Sequence, residues 1–490
     1  MASSRSAELK TAPLLAGARR AEPLVWASAG AVVLALLLLA AVLLLLASNS
    51  FRYFWPQPLV YLESDQLGPS GSLGIVLGRD TGRRAQNAQL LLLRGAEEFF
   101  QSPIIWLDED RIRSRQQPKD AFAVERADRG MVFGFIEALT VIGEQRVLSN
   151  GSPSQVLNAV QNAREEVSRL SIETREASFY SIRLANGQLV DLPLADVVSV
   201  HLPNSMNRVE KLNHFAAGVW RFLSEAPRQT NVQGGVLPAI VGTVTLVLLM
   251  AIIVAPLGVL AAVYLSEYAQ SGILTRLVRI AVNNLAGVPS IVYGVFGLGF
   301  FVYAVGGSID SVFFADKLPA PTLGTPGLLW AALTMAILTL PVVIVATEEG
   351  LARVPKNLRE GSLALGATRA ETLWRVVLPS AAPAVLTGLI LAIARATGEV
   401  APLILVGVAK YAPGLPVSGE FPFVHFDRQF MHLGFYIYDL GFQSPQIDTV
   451  EGLVYATALL LVGIVLLLNV AAVVLRGRLR EAFAGEEIFR

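Results

Sequence analysis

Arg395 and Glu399 stand four residues apart inside an otherwise apolar stretch, residues 381–406, with Arg395 about halfway along it. A guanidinium at the centre of such a segment costs on the order of 2.5 to 3.5 kcal/mol on insertion scales, so an ionisable residue there is by default a functional candidate. A spacing of four puts both side chains on one face of a continuous helix. The pair can neutralise itself as a structural ion pair. It can also present fixed positive charge and several N–H donors to a passing oxyanion, the carboxylate holding the guanidinium and weakening its grip on the ligand. A conduit must release what it binds. Gly398 and Pro402 suit the second use: proline cannot donate to the carbonyl of residue 398, and glycine lowers the cost of irregular backbone. Irregular backbone at membrane depth is tolerated where it lines a cavity. Thr397, Gly398 and, from another apolar stretch, Ser290 join the pair as candidate pathway residues. The Ser290 hydroxyl could equally satisfy a carbonyl freed by Pro289, where a kink is expected, as at Pro341.

The elements that position these groups are long apolar segments. Hydrophobic residues make up 53% of the 490, and the mean hydropathy is +0.54. Six segments reach spanning length: 25–47, 236–265, 281–305, 328–346, 381–406 and 453–475. Basic residues fall on alternate sides of them. Arg5, Lys10, Arg19 and Arg20 precede the first, Arg276 and Arg279 separate the second and third, and Arg353, Lys356, Arg359, Arg369 and Arg375 separate the fourth and fifth. Arg476, Arg478 and Arg480 follow the last. The opposite loops hold Lys317, Lys410 and Arg428, so both termini are expected in the cytoplasm.

The loop between the fourth and fifth segments has its own architecture. Pro355 suits a helix start, Leu358, Leu363 and Leu365 give one apolar side, and Gly366 suits a left-handed C-terminal cap. Thr368 and Glu371 form a Thr-x-x-Glu capping box opening a second helix with Leu373, Trp374, Val376 and Val377, which Pro379 is expected to stop. An amphipathic helix–turn–helix follows, which by itself is also what an ordinary connector looks like.

Residues 49–233 are too many for a loop and carry nearly balanced charge, so they read as an α+β domain between the first two spans. Strands are expected at 72–77, 89–93, 104–107 and 131–136, and a hairpin over 180–192 turning at Asn186-Gly187. Helices are expected over 153–175 and 209–223, the latter with Val209, Leu212, Phe215, Val219 and Phe222 on one face. The domain is either a partner platform or a shielding insertion, and the Asn150-Gly151-Ser152 sequon adds little. Zero cysteines exclude disulfides and thiolate chemistry. The four histidines show no metal-ligand spacing, and His425, Asp427 and His432 read as ordinary loop residues. No phosphate-binding Gly-x-x-x-x-Gly-Lys-Ser/Thr loop occurs, so any ATP is hydrolysed by another chain.

Two motifs carry a family resemblance. Glu360, Gly366, Val376, Leu378 and Pro379 match every fixed position of the ATPase-docking loop of ABC importer permeases, with Gly361 and Ser362 replacing two alanines. Residues 394–402, Ala-Arg-Ala-Thr-Gly-Glu-Val-Ala-Pro, resemble the fifth span of the PstA permeases of phosphate-specific ABC importers, Val400 replacing the usual threonine. The resemblance extends over about 234–480: Gly234 to Ile240, Tyr264 to Tyr268, Leu285 to Gly294, and Thr347-Glu348-Glu349. Ala346 stands where such permeases often have arginine. The resemblance implies an ABC importer permease core; with the spans, loop charges and domain read above, the expected fold is six transmembrane helices with a large α+β extracytoplasmic domain, divided as cytoplasmic tail 1–24, first helix 25–48, periplasmic domain 49–233, permease core 234–480 with docking loop 348–380, and tail 481–490. It implies a bacterial inner-membrane transport subunit, not an enzyme, passing phosphate through Arg395 and Glu399. Arg359, Glu360, Gly366, Thr368, Glu371, Leu378 and Pro379 would couple it to the ATPase. The implied partners are a PstC-like permease, a PstB-like ATPase pair that uses the ATP, and a PstS-like binding protein; no cofactor or metal is expected in this chain. Permeation of sulfate, molybdate or tungstate, or a sensor or scaffold role, are the alternatives.

Overall fold

The computed structural model describes residues 23–67, 71–80, 88–96, 98–100, 102–127, 130–141, 144–147, 153–168, 178–228, 234–412, 414–419, 421–444 and 447–488. The Asn150 sequon, the basic residues before the first span and residues 169–175 of the expected helix lie outside them. Six helices among the described residues are long and apolar enough to cross a membrane: Trp26–Phe54, Leu237–Tyr268, Ser290–Phe313, Leu328–Ala352, Arg369–Gly398 and Thr449–Arg478.

The third and fifth differ from expectation. Residues Ile273–Leu285 form a separate helix, and the third span begins at Ser290 behind Pro289, which is its N-cap with φ −55° and ψ 135°. Arg276, Arg279, Asn283 and Asn284 alternate there with Ile273, Leu277 and Ile280, an amphipathic period and not the uniform apolarity of a span. Pro289 therefore starts a helix instead of kinking one. Pro341 does lie inside the fourth span, which runs unbroken from Leu328 to Ala352.

Spans two, four and five form the centre of the helical core, where Leu246, Met250, Val254, Met335, Val343, Ala392 and Ala396 are buried together. Small residues bring the fourth and fifth together. A Cβ built on Gly388 would lie 2.5 Å from that of Ala346, and one on Gly350 would lie 2.5 Å from that of Ala384. Such small-residue pairs one turn apart let helix backbones approach closely in lipid. Ala346 is thus a packing residue here.

The inserted domain holds two antiparallel sheets. One has strand order β4-β3-β2-β1-β5, with β1 Leu59–Ser64, β2 Ser72–Asp80, β3 Gln89–Leu93, β4 Ile104–Asp108 and β5 Ile112–Gln116. The other has order β10-β9-β7-β6-β11, formed by β6 Phe122–Arg126, β7 Met131–Val141, β9 Phe179–Arg183, β10 Leu189–Pro193 and β11 Val197–His201, with β8 Glu144–Val147 beside β7. The helix Pro153–Ser168 adds Val156, Val160 and Ala163 to the second sheet's core. The expected hairpin is present, with Gly187 at φ +83° and the Gln188 N–H donated to Asn186 Oδ1 over 3.0 Å.

One half-buried carboxylate ties this domain to the helix that leads into the second span. Glu125 on β6 accepts from Ser199 at 2.8 Å and from Arg221 Nη1 at 2.9 Å, and pairs with Arg228 at 3.5 Å. Burial pushes its carboxyl up, but Arg221 and the Ser199 hydrogen bond outweigh burial and hold it below the usual carboxylate range. Arg221 belongs to the helix Arg208–Ser224, which starts at an Asn207/Glu210 capping box and leads to the second span. The expected apolar face is only partly buried: Phe222 is covered and Phe215 meets Phe51 and Phe54, whereas Val209 and Leu212 are exposed.

Candidate functional site

The loop expected to dock an ATPase begins with the helix Lys356–Ala364, and Pro355 is its N-cap. Gly366 ends it at φ +90°, its N–H donated to the Leu363 carbonyl at 3.0 Å while that of Ala367 reaches Ser362 at 3.2 Å. This pair of bonds is a Schellman cap, which needs the left-handed residue that glycine supplies most easily. Thr368 Oγ1 then accepts the Glu371 N–H at 3.2 Å, and Glu371 Oε2 accepts the Thr368 N–H at 2.9 Å. The predicted capping box is therefore present. Ser362 and Thr372 hydroxyls meet at 2.9 Å, tying the two helices with a contact that alanine at 362 lacks. Glu360 is exposed, as are Leu358, Leu363, Leu365 and Trp374, while Leu373 and Val377 pack on Val263, Leu351 and Val354 at the ends of the second and fourth spans.

Pro379 does not stop the second docking helix. Arg369–Thr372 passes through a wide π turn, Leu373–Val377, into the helix Leu378–Gly398, so docking helix and fifth span are one rod. The extra residue in a π turn relieves the clash and the missing donor that proline imposes on an α-helix. Leu378 and Pro379 lie at the start of the resumed α-helix. From Arg369 to Arg395 the rod extends about 39 Å at the usual rise.

Arg395 sits in the last turn of that rod, not halfway along a span, because the helix ends at Gly398. Glu399 is the extended C-cap, with ψ 127°, and the chain turns helical again at Leu403–Val406. The expected loosening at Gly398 and Pro402 is thus a full break. Arg395 Nε remains 3.5 Å from Glu399 Oε1, both side chains partly exposed. That exceeds the 2.7–2.9 Å of a tight charge-assisted bond. Arg395 has no other hydrogen-bond partner among the described residues, so its remaining N–H donors are available. A positive side chain in the last turn also complements the helix dipole.

Two other candidates divide. Thr397 is buried and donates its hydroxyl to the Ile393 carbonyl of its own helix at 2.8 Å. Gly398 borders open space. Ser290 lies one turn before Gly294, and a Cβ on Gly294 would be 2.8 Å from Cα of Pro402. Ser290 therefore shares the helix face that meets the break.

Several contacts were not legible in sequence. Arg359 donates to Glu267 at 2.5 Å and to the Leu351 carbonyl at 2.7 Å, joining the docking helix to two spans. His432, read as a loop residue, is wholly buried and caps the helix Leu433–Tyr438, its Nδ1 accepting the Gly434 N–H at 3.1 Å while Nε2 has no partner among the described residues. A Cβ on Gly434 would lie 2.6 Å from Val400 Cγ2, so this helix packs beside the break. His425 instead meets Ser418 at 2.8 Å.

Residues 254–481 match the family model of the binding-protein-dependent transport system inner membrane component. The chain is 38% identical over 192 residues to the phosphate transport system permease protein PstA 1 of Mycobacterium tuberculosis (strain CDC 1551 / Oshkosh), covering 39% of this chain and 57% of that protein. It thus spans little over half of that relative's length. It is 32% identical over 252 residues to the phosphate transport system permease protein PstA of Pasteurella multocida (strain Pm70), covering 51% of this chain and 79% of that protein. Superposition on an inward-facing MetNI methionine ABC transporter gives a TM-score of only 0.36, at 21% identity, over 53% of this chain and 97% of that one.

Proposed function

Because the chain belongs to the PstA family of binding-protein-dependent ABC transport permeases, we propose that it is the permease subunit of an ATP-driven importer of inorganic phosphate, forming half of the translocation pathway. The observation that carries the reading is the position of the Arg395–Glu399 pair: it sits at a break in the fifth span, on a helix continuous with the docking loop. Arg395 supplies charge and free donors to the oxyanion, and Glu399 limits how long the anion stays. The names of the relatives supply phosphate as the anion.

ATP hydrolysis belongs to a PstB-like ATPase pair whose surface receives Leu358, Leu363, Leu365 and Trp374. A PstC-like permease completes the pathway, and a PstS-like binding protein delivers phosphate from the periplasm. The basic loops support a docking side and both termini in the cytoplasm of a bacterial inner membrane, with the inserted domain in the periplasm. Closure of the ATPases displaces the docking helices, and the rod carries that displacement to the helix break, rocking the site between its two openings. Phosphate crosses with no covalent change. The test is ATP-dependent uptake of labelled phosphate by the reconstituted complex with sulfate and molybdate as competitors: selective phosphate uptake supports the reading, and preferential uptake of a competitor replaces the anion.

A further inference from the structure

Two arginines at the docking end make the same kind of contact in mirrored form. Arg359, on the docking helix, reaches the Glu267 carboxylate at the end of the second span and the Leu351 carbonyl at the end of the fourth, at 2.5 and 2.7 Å. Arg279, on the amphipathic helix Ile273–Leu285, donates to the Leu265 carbonyl of the second span at 3.0 Å and lies 3.3 Å from the Glu348 carboxylate of the fourth, an ion pair without a hydrogen bond. Each guanidinium thus takes a carbonyl from one span and a carboxylate from the other. The carbonyls it takes lie at helix ends or in the π turn Tyr264–Tyr268, where backbone acceptors lack regular partners. A planar fork with several fixed donors can hold two acceptors at once, which a lysine ammonium does less well.

We propose that Glu267, Arg359, Arg279 and Glu348 form a crossed clamp that makes the docking helix and the near ends of the second and fourth spans move as one body, so that load from the ATPase reaches three spans and not the fifth alone. The inference rests on the transport reading above. Its position in the load path follows from Arg359 lying between Leu358 and Glu360, both exposed on the docking helix. The side chains of Glu267 and Arg359 are about three-quarters covered, being 24% and 26% exposed, so solvent screens their attraction only partly. These are positioning residues: none touches the Arg395–Glu399 pair.

The chain has no cysteines, so Lys356→Cys with Ser266→Cys places two spin labels on this subunit, one on the docking helix and one on the second span. In the complex with its ATPase subunits, the label distance is expected to stay the same without nucleotide and with a non-hydrolysable ATP analogue. Glu267→Gln is expected to broaden or shift it on ATP binding, and to lower uptake per ATP hydrolysed at least about fivefold, the lower end of typical site-to-site coupling. The charge exchange Glu267→Arg with Arg359→Glu restores the ion pair but not the donor to the Leu351 carbonyl, so it should narrow the distribution only in part. Should Glu267→Gln not assemble, Arg359→Lys gives the same reading. A distance that changes on ATP binding in the parent, or one that Glu267→Gln and Arg359→Lys leave unchanged, overturns the clamp. The distance readout does not depend on which anion crosses, so absent phosphate uptake in the parent would defeat the substrate assignment while leaving the clamp tested.

Discussion

Gly294 of the third span and Pro402 of the fifth-span break are in backbone contact: a Cβ on Gly294 would lie 2.8 Å from the Pro402 Cα and 2.9 Å from its carbonyl oxygen. The irregular segment that follows Arg395 and Glu399 is therefore buttressed from the side by a neighbouring helix. On its other flank Val400 meets Gly434. The break is held in one shape, which is what a site that must present a guanidinium at fixed geometry needs.

Gly294→Ala should displace that backbone. Overpacking of this kind costs about 1–3 kcal/mol, and the strain falls on the segment next to the charged pair. Transport by the assembled complex should drop severalfold, with its amount in the membrane little changed. Gly299→Ala, in the same span but facing open space, is the matched control and should transport normally. Equal activity of the two variants would remove the buttress from the account.

The docking surface depends on its caps. Gly366→Ala forces an L side chain into φ +90° and should cost roughly 1 kcal/mol. Thr368→Ala removes the Glu371 N–H acceptor and costs about 1 kcal/mol, whereas Thr368→Ser keeps it. Each loss should weaken ATPase binding about fivefold, measured by titrating purified ATPase onto the reconstituted permease. Unchanged affinity in both would mean that the loop is not ordered before docking.

The inserted domain should lose stability in acid. Burial, then the neighbouring His214 whose ring lies 4.4 Å away, pulls His201 down to about 3. The unfolded chain takes up a proton below about 6.5 that the folded His201 refuses, so its contribution is complete above that pH and is lost as pH falls from 6.5 towards 3. At pH 5 the loss is about 2 kcal/mol. Glu125, held low by Arg221 and Ser199 against its burial, adds a loss of the same sign below the normal carboxylate range. Thermal unfolding of the full chain in detergent should shift downwards between pH 7 and 5, and His201→Gln should flatten that slope. A slope unchanged by His201→Gln would assign the acid sensitivity elsewhere.

Hydropathy made all six spans visible, because twenty apolar residues in a row have few other uses. The caps at Gly366 and at Thr368/Glu371 were equally visible, since each rests on residues within a single turn. What failed were inferences about where helices stop. Pro379 was read as a terminator, yet a π turn two residues earlier absorbs it, and the rod that results is the feature linking docking loop to charged pair. Residues 281–285 were merged with the third span because their apolar content matched, although Arg276 and Arg279 belong to the same amphipathic helix. The Arg359–Glu267 contact joins residues 92 apart in sequence, and no local pattern announces it. The burial of His432 is equally invisible to any local pattern.

The most direct test of the account is ATP-dependent phosphate uptake by the reconstituted complex carrying Arg395→Gln, measured beside ATP hydrolysis in the same vesicles. Loss of uptake in an assembled complex that still hydrolyses ATP is the predicted result, because the rod and the clamp remain while the anion's charged contact is gone. Uptake at the parent rate would contradict it, leaving Arg395 and Glu399 as a structural pair and moving the anion path elsewhere.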